Sequence, residues 1–246
     1  MISSIQNETI KRIVTLHNAF YRKKYKQFIA QGYTTCSTLI QCGYQLHEIY
    51  ITEQKYTQYE KQFINQPITV VSDQVMNKIS TTATPSGVVA IFSIPDTTYT
   101  PTSNSLVLYN IQDPGNMGTL IRSAAAMGVE NIFIIEGTDP YSPKVIQATS
   151  GTIGYVTIAT VDWQTFLQQH SSINLCALVV KNGVCPQELD LSQSILIIGN
   201  EGSGLPIDVI ENCKQLLTIQ MPGNTESLNA SIAGSIALYL KYTISK

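Results

Sequence analysis

At 246 residues the chain is long enough for one large α/β domain or two smaller ones, each with a sizeable core. Five cysteines (Cys36, Cys42, Cys176, Cys185 and Cys213), odd in number and without a Cys-x-x-Cys pair, exclude a disulfide framework and a thiolate zinc site. A net charge of −2 excludes the overall basicity that usually marks a nucleic-acid binder, so any such role must rest on local charge.

The first residues, MISSIQNETIKR, lack the charged start and apolar core of a signal peptide, and no apolar run reaches the length of a membrane span; the expected location is the cytoplasm. A helical segment follows in which Lys11, Arg12, Arg22, Lys23, Lys24 and Lys26 face only Glu8, interleaved with Tyr21 and Tyr25. Such a run is either a solvated helix face or a set of phosphate contacts. Thr34–Cys42 reads as a helix, Glu48–Thr52 as a short strand, Ser72 to Met76 as a capped helix start, and Val88–Phe92 as a buried strand. The first 95 residues therefore read as a small α/β domain. Residues 96–104, flanked and interrupted by Pro95 and Pro101 and poor in large apolar residues, read as a linker.

From 105 to 246 strand-length apolar runs alternate with helical patterns. Leu106–Ile111, Asn131–Ile135, Tyr155–Ala159, Leu175–Val180, Ile195–Ile198 and Leu216–Ile219 are the expected strands. Asn116–Met127, Ser142–Thr149, Asp162–Gln169 and Ser227 to about Tyr242 are the expected helices. This alternation predicts an α/β fold with a parallel sheet flanked by helices.

Three segments carry more glycine, asparagine and charge than a core requires, and each follows a predicted strand, where ligands bind in open α/β sheets. They are Asn110–Ala124, Ile197–Pro206 and Ile219–Ser231. Gly202-Ser203-Gly204 lacks the third glycine of a dinucleotide fingerprint, and Leu205 stands where a phosphate loop has lysine. That leaves an α/β oxidoreductase little room. His17, His47 and His170 are scattered outside all three segments, so no metal set or histidine base is indicated.

Read in order, Asp113-Pro114-x-Asn116-x-Gly118-x3-Arg122, then Gly199-Asn200-Glu201-Gly202-x-Gly204-Leu205, then Ser227-Leu228-Asn229 resemble the three signature motifs of the SpoU family of RNA ribose 2′-O-methyltransferases, within the SPOUT superfamily. The departures are Ser123 for a commoner threonine and Ala230 for valine. Residues 8–93 more faintly resemble the substrate-binding domain that many members carry in front, with Gln31 of Phe28-x-x-Gln31-Gly32 replacing an acid.

The resemblance implies a C-terminal parallel sheet with a deep trefoil knot, an exception to the unknotted rule, preceded by a ribosomal-protein-like RNA-binding domain. It implies S-adenosylmethionine held by Ile198, Gly199, Ile219, Met221 and Leu228, a catalytic set of Asn116, Arg122, Glu201, Ser227 and Asn229, and RNA held by Lys11, Arg12, Arg22, Lys23 and Lys24. The implied substrate is ribosomal RNA, with transfer RNA or a catalytically silent RNA-binding protein as alternatives; the implied state is a homodimer without metal. Arg122 is the residue that the family assigns to activating the hydroxyl. A guanidinium with a pKa above about 12 is a poor base, so stabilising the alkoxide or a phosphate suits it better. Ser227 either contacts substrate or caps the last helix. In that helix Leu228, Ile232, Ile236 and Leu240 are expected to face the core, and the small residues Ala230, Ala233, Gly234, Ser235 and Ala237 a partner.

Overall fold

A computed structural model describes residues 1–99, 102–170, 172–224 and 227–244. Thr100 and Pro101 of the expected linker lie outside the described residues. In chain order the elements are α1 (Glu8–Thr15), α2 (Ala19–Tyr25), β1 (Gln27–Gln31), α3 (Tyr33–Gln41), β2 (Leu46–Thr52), α4 (Glu53–Tyr59), β3 (Ile68–Val71), α5 (Asp73–Ile79) and β4 (Val88–Ser93). They continue as β5 (Ser105–Tyr109), α6 (Pro114–Ala126), β6 (Asn131–Ile135), α7 (Pro143–Thr149), β7 (Thr157–Thr160), α8 (Trp163–Gln169), β8 (Asn174–Leu178), β9 (Ser194–Ile198), α9 (Ile207–Glu211), β10 (Gln215–Leu217) and α10 (Ala230–Ile244). Side-chain caps start α1 at Asn7, α2 at Asn18, α5 at Ser72, α6 at Asp113, α7 at Ser142 and α8 at Asp162, each satisfying a backbone N–H that the first turn leaves open.

The chain divides into two compact units, residues 1–96 with 139–154, and residues 97–138 with 155–246. In the first, a four-stranded sheet runs β1-β4-β2-β3, antiparallel except for β2 beside β3. Alternation along the strands sends Ile29, Tyr50, Val89 and Ile91 to one face, where they pack with Ile10 and Ile13 of α1 and Val75, Met76 and Ile79 of α5. Phe28 on the other face meets Phe92, Tyr44 and Tyr141 at ring-centroid distances of 5.7, 6.0 and 5.1 Å. Gln31 is buried, and its amide is used at both ends: the carbonyl oxygen accepts from the Ser80 hydroxyl (2.6 Å) and the Thr81 N–H (3.3 Å), and the NH2 donates to the Thr81 hydroxyl. An amide supplies both roles, which a carboxylate does not.

Residues 139–154 belong to the later half by sequence and to the first unit by packing. Tyr141 sits on Phe28, and α7 packs on β1 and α3. A Cβ on Gly151 (φ +87°) would meet Thr35 O at 2.9 Å, and one on Gly154 would meet Cys42 at 2.8 Å, so two glycines set how closely this segment docks. The electrostatic tie is Arg22. Its Nε and Nη2 donate to Asp139 Oδ2 at 2.9 and 2.6 Å, and Nη1 donates to the carbonyls of Leu16 and His17, both at 2.8 Å. Arg22 is only 3% exposed. This corrects its assignment to RNA: four of the five N–H groups donate within the protein and the side chain is buried, which leaves no exposed fork for a phosphate.

The second unit is a six-stranded parallel sheet of order β10-β8-β9-β5-β6-β7. β5, β6 and β9 are buried at every residue and are apolar after a first polar residue (Ser105, Asn131 and Ser194), as befits central strands of a parallel sheet covered on both faces. Strand β7 starts at Thr157, two residues later than expected, because Thr152–Tyr155 forms a 3₁₀ turn. The faces of α10 are the reverse of the expectation. Ala230, Ala237 and Leu238 are buried, whereas Ile232, Ile236 and Tyr239 are exposed. The cause is proximity: a Cβ on Gly234 would meet Leu120 at 2.5 Å and Ile198 at 2.6 Å, so the small face is what lets α10 lie on α6 and β9. At its far end the buried Lys241 ammonium donates to the carbonyls of Ser103 (2.7 Å) and Ser194, and desolvation draws its pKa down to about 8.

Arg22→Ala should destabilise the protein by about 2–4 kcal/mol, less than for a fully buried pair because Asp139 is 25% exposed. Urea unfolding measures it; unchanged stability with weakened RNA binding would restore Arg22 to the RNA surface.

Candidate active site

Between β5 and β9 the order of connection reverses: the chain runs outward through β6 and β7, then returns to build β8, β9 and β10 on the other side. The crevice at the carboxyl ends of those two strands is where an open α/β sheet takes a ligand. The loops after β5, β9 and β10 correspond to the three polar segments of the sequence.

The loop after β9 closes on itself. Gly204 N donates to Asn200 O at 3.0 Å, and Asn200 Oδ1 accepts from the N–H groups of Gly202 (2.9 Å) and Ser203 (3.1 Å) and from the Ser203 hydroxyl (3.2 Å). Gly204 takes φ +68°, a left-handed conformation natural to glycine. A Cβ on Gly199 would stand 2.8 Å from Gly204 C and O and from Leu205 Cγ, so glycine there is required by chain packing against chain.

Two hydrogen bonds tie this loop to the loop after β5. Asn200 Nδ2 donates to Asn110 O at 2.9 Å, and Asn116 Nδ2 donates to Glu201 Oε1 at 2.6 Å. Asn116 is itself placed by the cap of α6, its N–H donating to Asp113 Oδ1 at 2.8 Å. The third segment is fixed at Asn229, whose Oδ1 accepts from Ser231 N (2.9 Å), Ser231 Oγ (2.6 Å) and Ile232 N (3.3 Å). Asn229, not Ser227, therefore caps the last helix, and α10 starts at Ala230 because the cap sits just before it. Thr225 and Glu226 of this segment lie outside the described residues.

At the carboxyl ends of β8 and β9, between the loops after β9 and β10 and the start of α10, lies a cavity of about 270 Å³. All five residues expected to hold the cofactor, Ile198, Gly199, Ile219, Met221 and Leu228, line it, and so do Glu201 and Ser227. Apolar walls at Leu178, Leu205 and Ile210, polar groups at Asn200, Glu201 and Ser203, and small residues Ala230 and Ala233 suit a ligand that combines a flat apolar ring with polar ends. The β8 end, Leu178 to Val180, was not anticipated; its signal was its place at the carboxyl end of a predicted strand. Asn116, Arg122 and Asn229 are not in the lining. Arg122 is exposed on α6 and has no ion-pair partner among the described residues. Glu201 holds Asn116, so its tie is to the first turn of α6 and not to Arg122.

In the first unit, Lys11 is exposed and pairs with Glu8 at 2.8 Å, and Lys23 and Lys24 are exposed. The Arg12 guanidinium lies 5.2 Å from the Tyr25 ring centroid and donates to Gln27 Oε1 at 3.1 Å.

Residues 103–239 match the SpoU rRNA methylase family, and residues 7–90 match an MRM3-like substrate binding domain. The chain is similar to a 23S rRNA (guanosine(2553)-2′-O)-methyltransferase, RlmP, of Bacillus subtilis, at 25% identity over 97% of both chains. It is 30% identical to an uncharacterized tRNA/rRNA methyltransferase of Synechocystis, covering 97% of this chain and 92% of that one. An AdoMet-bound rRNA methyltransferase from Sinorhizobium meliloti matches in structure with a TM-score of 0.84 at 25% identity, over 98% of this chain and 96% of that one.

Because Asn116 and Glu201 act as one hydrogen-bonded unit, Asn116→Ala and Glu201→Ala should not add. A double-mutant cycle in urea unfolding should give a coupling of about 0.5–1.5 kcal/mol. Strict additivity would show that the bond contributes nothing.

Proposed function

The chain belongs to the SpoU rRNA methylase family, and on that premise we propose that it transfers a methyl group from S-adenosylmethionine to a ribose 2′-hydroxyl of ribosomal RNA. The single observation that carries this reading is the cavity at the carboxyl ends of β8 and β9, walled by the five residues to which the family motifs assign the cofactor. The names of the similar proteins from Bacillus subtilis and Sinorhizobium meliloti support the ribosomal substrate and the cofactor.

S-adenosylmethionine supplies an activated methyl on a sulfonium sulfur. Ile198, Gly199, Ile219, Met221 and Leu228 would hold it, the apolar side chains excluding water from the adenine ring. The chain's own contribution to the reaction is then positioning and charge. Asn116 and Glu201, joined at 2.6 Å, fix the first turn of α6 against the loop after β9. Asn229 holds the start of α10, and Ser227 offers an exposed hydroxyl at the cavity edge. Arg122, exposed and without a carboxylate partner among the described residues, is available to an RNA phosphate or to the developing 2′-alkoxide.

The proposal extends to the finer architecture and setting. The family's trefoil knot is supported by the way β9, the 199–205 loop and α10 crowd together at Gly199 and Gly234. A homodimer is supported by Ile232, Ile236 and Tyr239, an exposed apolar stripe spaced along one side of α10. The front unit, through Lys11, Arg12, Lys23 and Lys24, contacts RNA phosphates. Among the described residues no helix is long and apolar enough to cross a membrane, and the proposed location is the cytoplasm.

The test is transfer of labelled methyl from S-adenosylmethionine to unmodified ribosomal and transfer RNA, followed by alkaline digestion. Label should appear in alkali-resistant dinucleotides from ribosomal RNA and fall by about a hundredfold or more in Arg122→Ala. Label in mononucleotides would mean base methylation, and label on transfer RNA alone would overturn the ribosomal assignment. Sedimentation of the same preparation at the mass of one chain, with full activity, would remove the dimer.

A further inference from the structure

At one end of the first unit's sheet, the start of β1, the start of β2 and the end of β4 come together. Gln27 pairs with Ser93 across β1 and β4, and the register between β2 and β4 slips at His47, between Leu46 and Glu48. Such a bulge re-aims a side chain, and bulges recur next to binding sites. The result is a line of polar groups. Gln27 Nε2 lies 3.1 Å from His47 Nε2, His47 Nε2 lies 2.8 Å from Ser93 Oγ, and Ser93 Oγ lies 3.0 Å from Gln45 Oε1. Gln45 and His47 are exposed.

Ser93 Oγ donates to Gln45 Oε1 at 3.0 Å, which uses one of that oxygen's two lone pairs. The second, on an exposed side chain, is open to an N–H from outside. These groups line a cleft of about 480 Å³ whose lining also includes Tyr25 and Tyr44. Tyr25 leads from the cleft onto an aromatic strip, with Tyr21 stacked on it at 6.0 Å and Phe20, 65% exposed, edge-on to Tyr21 at 5.2 Å. The Arg12 guanidinium and the Lys24 ammonium lie 5.2 and 5.6 Å from the centre of the Tyr25 ring.

We propose that this cleft reads one unpaired nucleobase of the RNA substrate, the exposed Gln45 carbonyl, held beside His47 by Ser93, taking an N–H of its edge, while neighbouring bases stack along Tyr21 and Phe20. The proposal rests on the RNA-methylating reading and gives the front unit a base-specific contact beyond its phosphate contacts. Recognition of RNA sequence targets splayed single-stranded bases through aromatic stacking and hydrogen bonds to base edges. The cation-flanked aromatic strip and the exposed Gln45 oxygen meet both needs.

The test uses the full chain and fluorescently labelled single-stranded RNA 12-mers carrying 4-thiouridine. Gln45→Leu/His47→Leu should weaken RNA binding about tenfold or more, with unchanged affinity for S-adenosylmethionine and an unchanged unfolding midpoint. Cross-linked peptides should map to residues 20–27 or 44–47. RNA affinity equal to that of the unsubstituted chain, or cross-links confined to other segments, would overturn the proposal. Failure of methyl transfer with these contacts intact would instead overturn the enzymatic reading and leave the cleft standing.

Discussion

The loop after β9 can close only because Gly199 has no side chain. With 2.8 Å between its missing Cβ and the Gly204 carbonyl, even one carbon there would force residues 199–205 apart. Everything at the site is referred to that closed loop. Asn200 folds it with one end of its amide and joins it to Asn110 with the other; Glu201, next along, joins it to Asn116. The same β9 that delivers Gly199 presents Ile198 to Gly234 of α10, so the floor of the cavity and the helix beside it are set by two close approaches of the same kind. An apolar cavity with polar groups at its edge is the outcome, and its rigidity comes from backbone contact and short hydrogen bonds. Such preorganisation is what a positioning catalyst without a histidine base needs.

The first unit shows how one charge can be withdrawn from a surface that sequence alone paints as uniformly basic. Arg22 sits in the run Arg22-Lys23-Lys24, yet its neighbours point outward while it is buried against Asp139 and two carbonyls. Its partner arrives from a segment 117 residues away in the chain, which no local pattern could disclose. Burial of the fork changes the nature of the proposed RNA surface. What remains outside is aromatic as much as cationic, with Arg12 and Lys24 near the Tyr25 ring. Such a surface favours stacked bases over a simple phosphate track.

Much of the parallel sheet was legible because buried segments such as Leu106–Leu108, Ile132–Ile135 and Ile195–Ile198 are continuous apolar runs between capped helices. The pairing of Ser142 with Pro143 and the capping Asp162 placed α7 and α8 almost to the residue. β1 and β3 were not anticipated as strands: Gln27–Gln31 and Ile68–Val71 are short, and their status depends on pairing with distant strands. α10 was found, but its faces were exchanged, since apolar periodicity says which side is greasy and not which side has room; Gly234 against Leu120 and Ile198 decided that. The cavity residues were readable through the motif resemblance. Asn200 lay inside the motif, but its role as the loop's clasp needed coordinates, as did the distinction between Ser227 and Asn229 as the cap.

The cavity behind the closed 199–205 loop is the proposed binding site of S-adenosylmethionine. Isothermal calorimetry with S-adenosylmethionine on the unsubstituted chain and on Gly199→Ala tests it most directly. One molecule should bind per chain, and the variant should lose affinity by about tenfold or more, because its new Cβ opens the loop. Equal affinity in the two proteins, with the variant folded, would place the cofactor elsewhere.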